Sequence, residues 1–240
     1  MTRQHVLAIP GLLCDEYVWR AQVAALDGVA DVVVADGGDH DDLADMARAA
    51  LRLIDASADD QVHVLGHSMG GRVALEVWRL APDRVRSLVL LDTGVHAVAP
   101  DEPERRQAML DLAAEGMDAL ADAWLPQMVH PDRRDDDALM TQLREMVGRS
   151  DEVRHARQIA ALLGRPDATP LLGTVTVPTL VVVGRDDEWS PVAQHEDIVR
   201  QIPGAVLEVV DDAGHFVTVE QPDAVSALLV DWVTRHGGAR

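Results

Sequence analysis

Three residue types that cooperate in nucleophilic catalysis occur here in a usable order: a serine between glycines, an aspartate pair, and a histidine behind a glycine. The serine is Ser68, in Val64-Leu65-Gly66-His67-Ser68-Met69-Gly70-Gly71. A serine hydroxyl is a weak nucleophile until a base takes its proton and a carboxylate orients that base. The acid candidates lie in Val183-Gly184-Arg185-Asp186-Asp187-Glu188-Trp189-Ser190-Pro191, and the base candidate is His215 in Asp211-Asp212-Ala213-Gly214-His215-Phe216. Gly-x-Ser-x-Gly between a strand and a helix makes a sharp turn that lifts the serine clear of a sheet edge. The pentapeptide alone is short enough to arise by chance, so its weight comes from the elements around it.

Those elements are legible as six short apolar runs: His5–Ile9, Val32–Ala35, Val62–Gly66, Leu88–Asp92, Thr179–Gly184 and Ala205–Val210. Most are nearly continuous in Val, Leu and Ile, which suits strands covered on both faces. Helical patterns lie between them, at Asp42–Ala56, Met69–Ala81, Pro191–Ile202 and Pro222–Trp232. In the first, Leu43, Met46, Ala47, Ala50, Leu51 and Ile54 recur at spacings of three and four. Strands alternating with helices imply a doubly wound α/β fold with a mostly parallel sheet of about six strands. Ser68 then follows the third strand, Asp187 the fifth and His215 the sixth, all at the carboxyl ends where α/β sites form.

The alternation breaks once. Between Val95 and Leu172 the patterns are helical: Glu102–Ala114, Met117–Met128, Asp136–Val147 and Glu152–Leu163. We expect a single domain over residues 1–240 with a helical lid at approximately 96–172, inserted after the fourth strand.

Taken together, the nucleophile turn, the Gly-x-x-Asp loop, the Gly-His pair and the insertion point resemble the α/β-hydrolase superfamily across essentially the whole chain. The closer likeness is to small bacterial carboxylesterase-like members with a helical lid. The resemblance implies Asp187 rather than Asp186 as the acid, three residues after Gly184 and four before Pro191. Asp92, ending the fourth strand, is the substitute acid that a few such relatives use. It also implies an oxyanion hole made by the backbone N–H groups of Leu12 and Met69, with Leu13 as the alternative to Leu12. Pro10-Gly11 stands here where many relatives have His-Gly. Trp19 matches a tryptophan frequent beyond that loop and is read as core packing.

Composition narrows the partners. The 240 residues carry a formal net charge of -20, from 21 basic and 41 acidic groups. Such a surface repels phosphate backbones and anionic lipids, so neither nucleic acid nor a membrane is an expected partner. There is no lysine, which excludes a Walker-type phosphate loop, and no Gly-x-Gly-x-x-Gly follows the first strand. No histidine spacing points to a metal, and no cofactor is expected. Cys14 is the only cysteine, read as a small apolar filler. The amino-terminal residues lack a signal-peptide pattern, which gives a cytoplasmic expectation. Outside His215, histidines are expected to be surface, turn or lid residues, including His67, His155 and His195.

The expected activity is hydrolysis of a carboxylic ester of small or medium groups, a carboxylesterase reaction through an acyl-enzyme, with the ester and water as the only partners. Leu13, Trp124 and Met128 are the expected pocket residues. The insertion holds nine arginines against fifteen acidic residues, a balance of -6, which favours a neutral substrate. A lactonase or a carbon–carbon bond hydrolase on the same triad are alternatives, as is a low-turnover receptor for a small ligand. Oligomeric state is not readable.

Overall fold

The computed structural model describes residues 3–37, 39–54 and 61–238. In chain order the elements are β1 (Gln4–Ile9), α1 (Arg20–Leu26), β2 (Ala30–Val34), α2 (Leu43–Leu53), β3 (Val62–His67), α3 (Met69–Leu80) and β4 (Val85–Leu91). Then come α4 (Glu102–Glu115), α5 (Met117–Met128), α6 (Asp137–Gly148), α7 (Glu152–Leu163) and α8 (Thr169–Leu172). The chain closes with β5 (Thr179–Gly184), α9 (Val192–Gln201), β6 (Val206–Val210), α10 (Val217–Glu220) and α11 (Pro222–His236).

All six expected strands are present, in the order β2-β1-β3-β4-β5-β6, and every neighbouring pair is parallel. Their burial explains their composition. Strands β3 and β5 are buried at every position, whereas the edge strands β2 and β6 are mostly half-buried. The chain steps one way from β1 to β2 and the other way from β3 to β6. The loops after β1 and β3 therefore diverge at a switch point and leave a crevice between them. Right-handed crossovers put α1 and α11 on one face of the sheet and α2, α3 and α9 on the other. Accordingly α1 packs on α11, and α2 on α3.

The helix at Asp42–Ala56 begins one residue later than expected because Asp42 is its cap, accepting the N–H groups of Ala44 and Asp45. The expected end, Asp55 and Ala56, lies outside the described residues. Helices α1, α8 and α10 are too short to show a period and were not expected. No helix among the described residues is long and apolar enough to cross a membrane.

Between β4 and β5, α4 packs on α5 and α7, and α5 on α6. Acidic residues start these helices: Asp136 caps α6 and Asp151 caps α7. The root of the segment is closed by the Ala168 N–H donating to the Val95 carbonyl at 2.9 Å.

One histidine expectation is corrected here: His195, in α9, is neither a surface nor a lid residue but fully buried, as are His63 and His155, the latter within the helical segment between β4 and β5. His195 is fixed between backbone groups: Nε2 accepts the Thr93 N–H at 2.9 Å and Nδ1 faces the Pro191 carbonyl at 3.2 Å. His155 packs in the core side of α7 with no hydrogen-bond partner at either ring nitrogen among the described residues. Burial pushes His155 down to about 4, with Arg106 adding to it, and His63 down to about 3. Each stays neutral in the fold while it would protonate near 6.5 in the unfolded chain. Stability is therefore full above about pH 6.5 and is lost progressively as the pH falls toward those folded values. At about 1.4 kcal/mol per pH unit, each histidine should cost roughly 2 kcal/mol at pH 5. Replacing His155→Leu should remove one such increment. Urea unfolding of both proteins at pH 7 and pH 5 checks it; an unchanged pH dependence in the variant would refute this account.

Candidate active site

Strand β3 delivers Ser68 into a backbone conformation that an L-residue rarely adopts, φ 55° and ψ -118°. Such conformations cost of order 1–3 kcal/mol and persist only when the surroundings over-determine them. Here the Ser68 N–H donates to the Leu91 carbonyl at 2.9 Å. The Ser68 carbonyl accepts from Thr93 Oγ1 at 2.7 Å and from the Gly71 N–H at 3.0 Å. Gly70 is required because a Cβ there would overlap the Ile9 carbonyl of β1.

Around Ser68 the three candidate residues meet. His215 Nε2 lies 2.8 Å from Ser68 Oγ, and His215 Nδ1 lies 2.8 Å from Asp187 Oδ2. Asp187 and His215 are each only 3% exposed. The other Asp187 oxygen accepts the N–H groups of Trp189 and Ser190, both at 2.8 Å. The carboxylate is thus aimed with Oδ2 as an acceptor toward His215, so Nδ1 carries the imidazole proton and Nε2 is free to accept from the serine. Asp186 is half exposed and sits against His130 Nε2 at 3.3 Å instead. The acid and base loops are in direct contact, since a Cβ on Gly184 would overlap the Gly214 carbonyl.

Asp92 is fully buried and otherwise engaged: Oδ1 accepts the Gly184 N–H at 2.9 Å and Oδ2 the Val217 N–H at 3.1 Å. It ties the ends of β4 and β5 to the histidine loop. His67 does not bond within its own turn but reaches across, its Nε2 donating to the His215 carbonyl at 2.7 Å. A further residue, unseen in the sequence, anchors the same loop. Buried Glu220 accepts the N–H groups of Gly214 (3.0 Å), Phe216 (3.2 Å) and His130 (2.7 Å). The His215 N–H itself donates to the Met128 carbonyl at 2.7 Å.

The two candidate oxyanion donors flank Ser68. Leu12 follows β1 and Met69 opens α3, and neither N–H has an acceptor among the described hydrogen bonds. The Leu13 N–H is taken by Gln158 Oε1 at 3.0 Å, which removes it as the alternative donor. Leu13 also fails as a pocket residue. Its left-handed backbone, φ 59°, leaves the side chain in the core, 2% exposed and absent from the cavity lining. Cys14 is likewise inert: its thiol donates to the Leu12 carbonyl, and burial, with the Asp15 charge, pushes it far above the ordinary thiol range.

Ser68 and His215 open into a cavity of about 290 Å³. Helices of the segment between β4 and β5 cover it, through Met109, Trp124, Met128 and Leu162. Trp124 and Met128 are thus among the residues that line it. The sequence reading missed that Arg72, Arg106 and Arg165 also face it. Arg72 was in view, four residues after Ser68 in the first turn of α3.

A model described as the alpha/beta hydrolase family matches residues 6–228. Among curated proteins, a 2-hydroxy-6-oxononadienedioate/2-hydroxy-6-oxononatrienedioate hydrolase of Dechloromonas aromatica (strain RCB) is 28% identical over 194 residues, covering 78% of this chain and 67% of that protein. Among solved structures, an esterase from Thermogutta terrifontis with malate bound is 28% identical, covering 98% of this chain and 91% of that one with a TM-score of 0.87. An enol-lactonase from Burkholderia xenovorans LB400 is 25% identical, covering 98% and 92% with a TM-score of 0.86. With the sheet order, the strained serine turn and the loop positions already matching, this extent of similarity makes the chain a member of the alpha/beta hydrolase family.

Proposed function

We propose that this chain is a serine hydrolase that cleaves a small carboxylic ester through an acyl-enzyme, under a lid formed by α4–α8. The observation that carries the reading is the hydrogen-bonded chain Ser68 Oγ, His215 Nε2, His215 Nδ1, Asp187 Oδ2 at the foot of a covered cavity. His215 takes the Ser68 proton as the oxygen attacks the carbonyl carbon. Asp187 stabilises the imidazolium, and the Leu12 and Met69 N–H groups receive the charge on the carbonyl oxygen. His215 then protonates the leaving alcohol, and water repeats the sequence on the acyl-enzyme to release the acid.

Hydrolysis of p-nitrophenyl acetate and butyrate, with fluorophosphonate labelling read by mass spectrometry, tests this. We expect turnover and one adduct, on Ser68. In Ser68→Ala both should vanish, with kcat down roughly 10⁴- to 10⁶-fold. A folded protein that neither labels nor turns over, or that labels elsewhere, would refute the reading.

The curated relatives favour a second reading. Several are named for hydrolysis of 2-hydroxy-6-oxo dienedioates, and an enol-lactonase is a close structural likeness. The same site would then cleave a carbon–carbon bond or open a lactone. Direct comparison of 2-hydroxy-6-oxononadienedioate with simple esters decides between them by kcat/KM.

A further inference from the structure

The cavity holds more positive charge than the fold consumes. Four arginines line it, Arg72, Arg105, Arg106 and Arg165, together with the carboxylates of Asp92, Glu102 and Glu188. Burial alone would raise the Glu102 carboxyl. The hydrogen bond and charge of Arg165, with those of Arg106, outweigh that and hold it at about 2, so Glu102 contributes one full negative charge.

Arg165 is fully used. Its Nε donates to the His96 carbonyl, Nη1 to Glu102 Oε1 and the Leu162 carbonyl, and Nη2 to Glu102 Oε2 and the Ala97 carbonyl. Arg106 is not. Its Nε and Nη2 share the single oxygen Glu102 Oε1 at 3.3 and 3.1 Å, its Nη1 reaches Met109 Sδ at 3.8 Å, and the guanidinium lies over the Trp189 ring at 5.3 Å, so no second oxygen takes its N–H groups among the described hydrogen bonds. Arg72 is used least, with one bond from Nη1 to the His96 carbonyl at 3.1 Å and no acceptor for Nε or Nη2 among the described hydrogen bonds. Burial, and then the charges of Arg165 and Arg106, push Arg72 down to about 9 against the pull of Glu102 and Asp167.

The other charged groups around the cavity do not neutralise this pair. Arg105 pairs with Asp101 at the surface, and Glu188 is exposed. Asp92 is spent on two backbone N–H groups and Asp187 on His215, Trp189 and Ser190. Arg72 and Arg106 are left with N–H groups that no oxygen takes among the described hydrogen bonds, in a site that is partly out of water, inside a chain of net charge -20. Uncompensated charge is costly to bury, and a guanidinium with free N–H groups is shaped to receive a carboxylate.

We propose that Arg72 and Arg106 form a carboxylate-binding pocket, so that the natural substrate is an ester or lactone bearing a free carboxylate. The proposal rests on the serine-hydrolase reading for its chemistry, but not for its binding. Arg72 stands in the first turn of α3, four residues after Ser68. A carboxylate held there places a reactive carbonyl of the same small molecule within reach of Ser68. Arg106, from α4, lines the same cavity and offers its free N–H to the same anion. The acidic exterior repels anions, so selection is made locally rather than by long-range steering.

The test pairs substrates that differ only at the far end: monomethyl adipate against methyl hexanoate, by pH-stat. We expect kcat/KM to favour the carboxylated ester at least tenfold. In Arg72→Gln that ratio should fall tenfold or more, chiefly through KM, with Arg106→Gln as a second variant should the first fail to fold. Arg48→Gln, an exposed arginine paired with Asp45, should leave the ratio unchanged. Calorimetric titration of adipate, against adipamide, into Ser68→Ala reads the pocket without turnover. Fluorophosphonate labelling with no preference for the carboxylated ester and no adipate binding would overturn this proposal and leave the hydrolase reading standing. Adipate binding lost in Arg72→Gln, without labelling, would support it while the hydrolase reading fell.

Discussion

Asp187→Asn is expected to lower kcat on any ester this protein hydrolyses by about 10⁴-fold, with the fold intact, as the equivalent change does in a well-studied serine protease. The geometry gives the reason. One Asp187 oxygen accepts two backbone N–H groups, from Trp189 and Ser190, and an asparagine keeps its carbonyl oxygen in that position. Its amide nitrogen must then occupy the place of Oδ2, 2.8 Å from His215 Nδ1. A donor at that point forces the imidazole proton from Nδ1 to Nε2, and Nε2 can no longer accept from Ser68. Asp92→Asn provides the contrast. Asp92 uses its two oxygens on two different backbone N–H groups, so the amide leaves one buried N–H facing an NH₂ group. That change should cost about 1–3 kcal/mol of stability without altering the imidazole tautomer. Steady-state kinetics and urea unfolding of both variants separate the roles. Near-normal kcat in Asp187→Asn with an inactive, folded Asp92→Asn would make Asp92 the acid.

The sequence carried whatever leaves a local trace. Doubly covered strands must be apolar throughout, so β3, β4 and β5 announce themselves as runs of Val and Leu. The turn at Ser68 needs glycine where β1 presses against it, so the motif is visible at fixed spacing. Asp187 stands three residues after Gly184, a glycine that contact with Gly214 demands, and the family resemblance singled it out over Asp186. What stayed hidden depends on direction rather than order. The insertion has an acidic balance, yet Arg106 and Arg165 of its nine arginines turn inward. Counting charges cannot see that, and it pointed to a neutral substrate. His195 was misplaced for the same reason: a histidine on a helix carries no mark of which side faces the core. Leu13 differs from Leu12 only by a left-handed backbone turn, which decides that one N–H meets Gln158 while its neighbour stays unengaged.

Glu220 is the residue whose loss should most disturb both stability and chemistry without touching a reacting atom. It accepts three backbone N–H groups, from Gly214, Phe216 and His130, two of which flank His215. It thereby locks the histidine loop to the end of α5, where Met128 holds the His215 N–H. Burial pushes the Glu220 carboxyl up, with the Asp92 charge adding to it, while the three N–H groups pull it down. In Glu220→Ala those donors are left in a buried place with no acceptor. At about 1–3 kcal/mol per orphaned donor, with partial relaxation, the cost should be about 4 kcal/mol. For a chain of this size that is a fall in Tm of roughly 10 °C. Glu220→Gln keeps one oxygen and should lose about half as much. Freed of its anchor, His215 drifts from Ser68, and a displacement of about 1 Å costs on the order of 100-fold in kcat. KM should change little, because Glu220 lies outside the cavity lining. A role confined to packing would lower Tm and leave kcat per folded molecule alone. Thermal unfolding together with kcat and KM, measured well below Tm, distinguishes the two. A large fall in Tm with unchanged kcat would reduce Glu220 to a structural residue, and no change in either would show that the three N–H groups find other acceptors.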